Sequence, residues 1–184
     1  MKKPGELIAP LVPPLVTSLV VSLVAAAALA GSALAEPTRP IPVVVFDMSF
    51  VNLSQEVDYG ADNAPERARI RMLSDYFREL VAASDRYAVV GGGPSEAELE
   101  RYGEVFACNG CEAPLARAAG AERSLTGSVR KVSVLIQSVI IRERDAKTGE
   151  VLALYNVSIR NNTDAAWRRG LKWLVTNRLL AKTQ

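Results

Sequence analysis

Two periods of hydrophobic and polar positions run along the chain, and the switches between them outline an order of elements. Val43-Val44-Val45-Phe46 is a short, wholly apolar run, the pattern of a strand buried on both faces. Residues 47–63 are mostly polar and predict a loop, although Phe50, Val51, Leu53 and Tyr59 make it too apolar for a simple solvated linker. Pro65 suits a first helical position, and Ile70, Leu73, Phe77, Leu80 and Val81 recur at three- and four-residue spacing. That spacing predicts an amphipathic helix over 65–83. Residues 87–90 read as a second strand. Gly91-Gly-Gly-Pro94 then breaks the pattern, and Ser95 with Glu98 has the capping-box spacing of a short helix running to Tyr102. A further short helix is expected over 113–119, closed by Gly120.

In the second half, Leu125, Gly127 and Val129 alternate with Thr126, Ser128 and Arg130, the period of a half-buried strand. Residues 132–142 form the next strand; its apolar positions change parity between Ile136 and Val139, which predicts a bulge or cover on both faces. After a turn at 145–149, Val151, Ala153, Tyr155, Val157 and Ile159 share one face of a strand antiparallel to its predecessor. Asn161-Asn-Thr-Asp164 offers helix caps, and Trp167, Leu171, Leu174 and Val175 make the stripe of a last helix to Leu180. The order β-α-β-α-α-β-β-β-α predicts an α/β (α+β) sandwich, a mixed sheet of about five strands with helices packed on it.

The start of the chain has a different character. Lys2 and Lys3, an apolar run over 15–30 and the small residues of Gly31-Ser-Ala-Leu-Ala35 predict a secretory signal over 1–35, cleaved after Ala35, hence a periplasmic protein. Residues 36–42 are a Pro-rich leader whose prolines cannot join a central ladder, so one domain is expected over 43–184, with no membrane span after cleavage.

Composition narrows the chemistry. Twenty-two Lys and Arg against 20 Asp and Glu leave +2 over 184 residues, which predicts no nucleic-acid partner. Histidine is absent, removing the commonest general base and Zn ligand together. Ser49, Ser54, Ser74, Ser124 and Ser128 therefore lack an activating base, and no Gly-x-Ser-x-Gly elbow occurs. No catalytic residue, cofactor or metal is expected, and the chain does not read as an enzyme. The one distinctive pair is Cys108 and Cys111. In an exported chain it is first a candidate disulfide fixing the turn at Asn109-Gly110, with a redox pair or a metal site as alternatives. Covalent haem would require His where Glu112 stands.

Residues spread along the chain carry a resemblance. The opening strand with Phe46-Asp47, Leu80-Val-Ala-Ala-Ser-Asp-Arg-Tyr87, Ala118-Ala-Gly-Ala121, Leu125-Thr-Gly-Ser-Val129 and Thr148-Gly-Glu-Val-Leu152 resemble the TolB amino-terminal domain and related curli-export and TolB-like periplasmic proteins. Cys108-Asn-Gly-Cys111-Glu112, Leu115-Ala-Arg117, and Asn161-Asn-Thr-Asp164 with Trp167 and Gly170-Leu171 are similar to a family of secreted proteobacterial proteins known only as a domain of unknown function. The first resemblance implies envelope assembly and partner binding. The second implies no defined activity beyond an association with periplasmic quinoprotein oxidation.

Two surfaces are expected to meet a periplasmic or envelope protein. One is the 47–63 loop, with Phe50, Leu53 and Tyr59; the other is the basic last helix, with Arg169, Lys172 and an off-stripe Trp173. The leading expectation is a non-catalytic partner-binding module. The alternative is a redox or metal-handling accessory of a periplasmic oxidation system that uses Cys108 and Cys111.

Overall fold

The computed structural model describes residues 39–181 apart from 61, 92–94 and 134. The signal segment with its cleavage after Ala35, the start of the leader, Gly92-Gly93-Pro94 and Lys182 fall outside the described residues. The elements in chain order are β1 (Ile41–Val45), β2 (Ser49–Asn52), a 3-10 turn (Gln55–Tyr59), α1 (Ala64–Ala82), β3 (Tyr87–Val89), α2 (Glu96–Tyr102) and α3 (Glu112–Ala118). They continue with β4 (Arg123–Lys131), β5 (Ile136–Asp145), β6 (Val151–Arg160) and α4 (Asp164–Leu174), which runs into a π turn (Val175–Leu179). Among the described residues, no helix is long and apolar enough to cross a membrane.

The strands form one mixed sheet in the order β3-β1-β4-β5-β6, with β2 also paired to β4. β1 lies parallel to both β3 and β4, whereas β4, β5 and β6 form the expected antiparallel meander. Both faces are covered. On one, Leu73, Phe77 and Val81 of α1 join Trp167, Leu171 and Leu174 of α4 over Val43, Leu125 and Ile141. On the other, Leu115 and Ala116 of α3 close over Val44 and Phe46 with Val105. This two-sided cover is why Val43 to Phe46 is apolar at every position. The capping box forms as expected, with the Ser95 amide donating to Glu98 and the Glu98 amide to Ser95 Oγ. Thr163 caps α4 by accepting the Ala166 amide.

Three boundaries differ from expectation. The 47–63 segment is not a loop throughout: β2 pairs Ser49–Asn52 in parallel with Ser128–Lys131, and the 3-10 turn follows. β1 and β2 thus share β4 as partner, separated by a break where the Met48 amide turns away to Ser74 Oγ of α1. Four residues with a distant parallel partner leave no period to read. Second, β1 begins at Ile41 and includes Pro42. The missing amide is tolerated because Pro42 precedes the first β1–β4 pair, Val43 with Arg123, and only its carbonyl is used, by the Glu122 amide. Third, Val132 is not in a strand. β5 starts at Ile136, and the parity change arises because the preceding residues form a turn while β5 buries both Ile140 and Ile141.

Candidate functional site

Cys108 and Cys111 are joined in a disulfide at the entrance to α3. The turn they close needs left-handed backbone at Asn109 (φ 55°) and Gly110 (φ 122°), conformations that Asn and Gly tolerate best. The sequence places Glu112 directly after, and it becomes the first residue of α3 with its side chain fully buried. Alternation along β5 points Arg142 and Arg144 to the same covered face. Arg144 Nε donates to Glu112 Oε1 at 2.7 Å, and Arg142 Nη1 donates to the same oxygen at 3.3 Å. Arg142 also donates to the Phe106 carbonyl and lies over the Phe106 ring, 4.4 Å from its centroid. Cys108 Sγ lies 3.6 Å from the other carboxylate oxygen, Oε2.

The arrangement bears on the three readings of the cysteine pair. Cys108, Cys111 and Glu112 lie close enough to share an ion, but the sulfurs are bonded to each other and the carboxylate already has two guanidinium partners. A carboxylate beside Cys108 also opposes formation of a thiolate there. Chemically the cluster is a brace: it ties the turn and α3 to β5 across the sheet face.

A second feature lies at the break between β1 and β2. A cleft of about 460 Å³ opens there, lined by Met48, Ser49, Phe50 and Asn52 on the sheet, Arg67, Ile70 and Arg71 on α1, and the 103–105 segment. β3 pairs only with the start of β1, so no described strand covers the outer edge of β2. The Leu53 amide donates to the Lys131 carbonyl, and strand alternation therefore turns the backbone groups of Phe50 and Asn52 away from β4, toward the cleft. Arg71 has no ion partner among the described residues, and Asp47 is paired with Arg78.

The expected contact residues do not form one surface. Phe50 is half-buried, lines the cleft and stacks on Trp167 at 6.0 Å. Leu53, two residues before the 3-10 turn, and Tyr59, its last residue, are 59% and 88% exposed. Trp173, 45% exposed, borders with Arg169 a shallow groove along β6, while Lys172 is simply exposed.

Two buried polar clusters were not legible as such. Lys131 Nζ bridges Glu56 at 2.6 Å and Glu66 at 3.2 Å, and Asn162 donates to Glu66 at 2.6 Å, which joins the 3-10 turn, β4, α1 and the segment before α4. Burial pushes the Glu66 carboxyl up, but the hydrogen bonds from Asn162 and Lys131 outweigh it and hold it below the ordinary value. The Glu56 hydrogen bond, against the cost of burial and with Glu66 assisting, raises Lys131. On the same face of the sheet, Tyr87 Oη donates to the buried Glu143 at 3.0 Å. Burial, then the Glu143 charge, pushes that phenol up.

The chain belongs to the DUF3280 family, described as a protein of unknown function (DUF2380), which matches residues 42–179. No curated protein matches it. Among solved structures it is similar to the LpoB C-terminal domain from Salmonella enterica, at 18% identity over 67% of this chain and 85% of that one, with a TM-score of 0.46. It is also similar to lipoprotein GNA1162 from Neisseria meningitidis, at 20% identity over 76% and 98%, with a TM-score of 0.44. TolB from Acinetobacter baumannii is 14% identical over 78% of this chain and 29% of its own, with a TM-score of 0.45.

Proposed function

We propose that this protein is a non-catalytic module of the cell envelope that holds a partner protein by an extended segment laid along β2. The observation that carries the reading is the outer edge of β2, covered by no described strand, at the floor of a cleft. Backbone groups of Phe50 and Asn52 face that cleft, which α1 and the 103–105 segment wall on either side. Such an edge supplies main-chain hydrogen bonds to an added strand, and side-chain pockets supply specificity. Met48, Ile70 and Val105 favour an apolar side chain on the segment, and Arg71 favours a carboxylate. The export reading of residues 1–35 supports the envelope setting. The Cys108–Cys111 pair acts in this reading as a clip that, with Glu112, fixes the wall next to the cleft.

The test is in-cell crosslinking from a photoreactive residue placed at Arg71, compared with one at Arg117, exposed on α3 and outside the cleft. Discrete adducts from position 71 alone are expected, with no partner trapped on Cys108 when Cys111 alone is replaced by serine. Equal adducts from both positions would defeat the reading, and a mixed disulfide trapped on Cys108 in Cys111→Ser would overturn it in favour of redox chemistry.

A further inference from the structure

One end of the sheet displays apolar side chains where turn residues are ordinarily polar. In the β4–β5 turn Val132, Leu135 and Ile136 are 52%, 65% and 49% exposed. This turn is held in shape: Ser133 Oγ accepts the amides of Leu135 and Ile136, and the Val132 amide donates to the Ile136 carbonyl. Leu53 lies beside it, because its amide bonds to the carbonyl of Lys131, and it too is exposed. The turn and Leu53 thus present four large apolar side chains together, a concentration that marks an interaction site.

Cations flank the turn. Strand register sets Arg160 opposite Ile136 and Arg130 opposite Ser138, both on one face, and the Asn161 amide donates to the Leu135 carbonyl. Arg169 and Trp173 border the groove that begins at Arg160 and Asn161. Arg130, Arg160 and Arg169 are exposed and have no ion partner among the described residues, while Glu56, on the 3-10 turn, is already held by Lys131. Exposed apolar turn residues flanked by arginines without ion partners among the described residues match a bilayer interface, which takes apolar side chains into its acyl boundary and arginines at its phosphates.

We infer that this end of the sheet docks on an anionic phospholipid surface, with Leu135 and its neighbours inserted and Arg130, Arg160 and Arg169 at the headgroups. None of these residues lines the β2 cleft, although Leu53 directly follows Asn52, so a module docked in this way leaves the cleft's own lining to its partner.

The test uses the purified chain as its cells process it, with vesicles of phosphatidylcholine alone or with about 30 mol % phosphatidylglycerol. Leu135→Trp, in a Trp173→Phe background, reports the tip directly: its emission is expected to shift to the blue and to be quenched by brominated acyl chains only with the anionic vesicles. Leu135→Glu, at an exposed position, is expected to weaken vesicle binding about tenfold, and each of Arg130→Glu and Arg160→Glu about fivefold, at unchanged melting temperature. No quenching at position 135, or equal quenching with both vesicles, overturns the inference even if other parts of the chain bind lipid. A water-exposed tryptophan together with adducts to a protein from position 135 would assign the turn to a protein partner instead. Failure here leaves the crosslinking result at Arg71 untouched.

Discussion

Removing the charge of Glu112 is the sharpest test of the brace between α3 and β5. In Glu112→Gln the shape is kept, but Arg142 and Arg144 lose their carboxylate. Their side chains are only 18% and 12% exposed, so water replaces it poorly. Breaking a buried ion pair from one side costs about 3–5 kcal/mol. Two features reduce this here. The Gln oxygen can still accept one of the two hydrogen bonds, and each arginine keeps a carbonyl partner, Phe106 for Arg142 and Gly149 for Arg144. The expected loss is therefore about 2–3 kcal/mol, a fall of roughly 5–10 °C in melting temperature for a domain of this size. Urea unfolding followed by circular dichroism measures it, with an unchanged m-value as the sign that the folded state is intact. Glu122→Gln is the control, since the Glu122–Arg39 pair is 47% and 70% exposed and is expected to contribute less than about 0.5 kcal/mol. In a double-mutant cycle, Glu112→Leu with Arg144→Met should cost clearly less than the two single changes added. A Glu112→Gln loss no larger than that of Glu122→Gln would refute the brace.

Two other outcomes follow from the same geometry. Gly170→Ala gains about 1 kcal/mol of helix propensity, yet its Cβ would lie 2.3 Å from Ile159 Cγ2, a stiff β-branched methyl. A net loss of about 1–2 kcal/mol in urea unfolding is expected, and a stabilised variant would show that α4 can lift from β6 freely. Because Glu66 lies below its ordinary value in the folded protein, its contribution is present above about pH 4.5 and is lost as pH falls through the folded value. The melting-temperature gap between the native chain and Glu66→Gln should accordingly shrink from about pH 6 to pH 3, and a constant gap would refute the pairing with Lys131 and Asn162.

Much of the sandwich was legible because burial imposes a period on long elements. The stripes of α1 and α4 and the alternation along β6 appear where expected, and the solid apolar run of β1 announced a strand covered twice. What escaped was either short or non-local. β2 is four residues long and is specified by its distant parallel partner in β4. Glu112 was visible beside the cysteines, but that Arg142 and Arg144 face it depends on α3 lying over β5, which no local pattern encodes. Leu53 and Tyr59 were singled out, whereas Val132 and Leu135 were absorbed into a strand, because exposed apolar residues in a turn look like buried ones in a sheet.

The sheet joins two kinds of pairing with different demands on timing. β4, β5 and β6 are linked by short turns and can zip together as soon as they are made. β1 can pair first with β3, through Ile41 with Tyr87, but its other edge, through Val43 with Arg123, and β2, through Phe50 with Val129, stay unpartnered until β4 has been made. For a polypeptide made from its amino end, that is a wait in which one edge of Val43 to Phe46 is open and prone to association. The wait ends when Arg123–Lys131 is in place, which makes β4 the template on which the opening strands are completed.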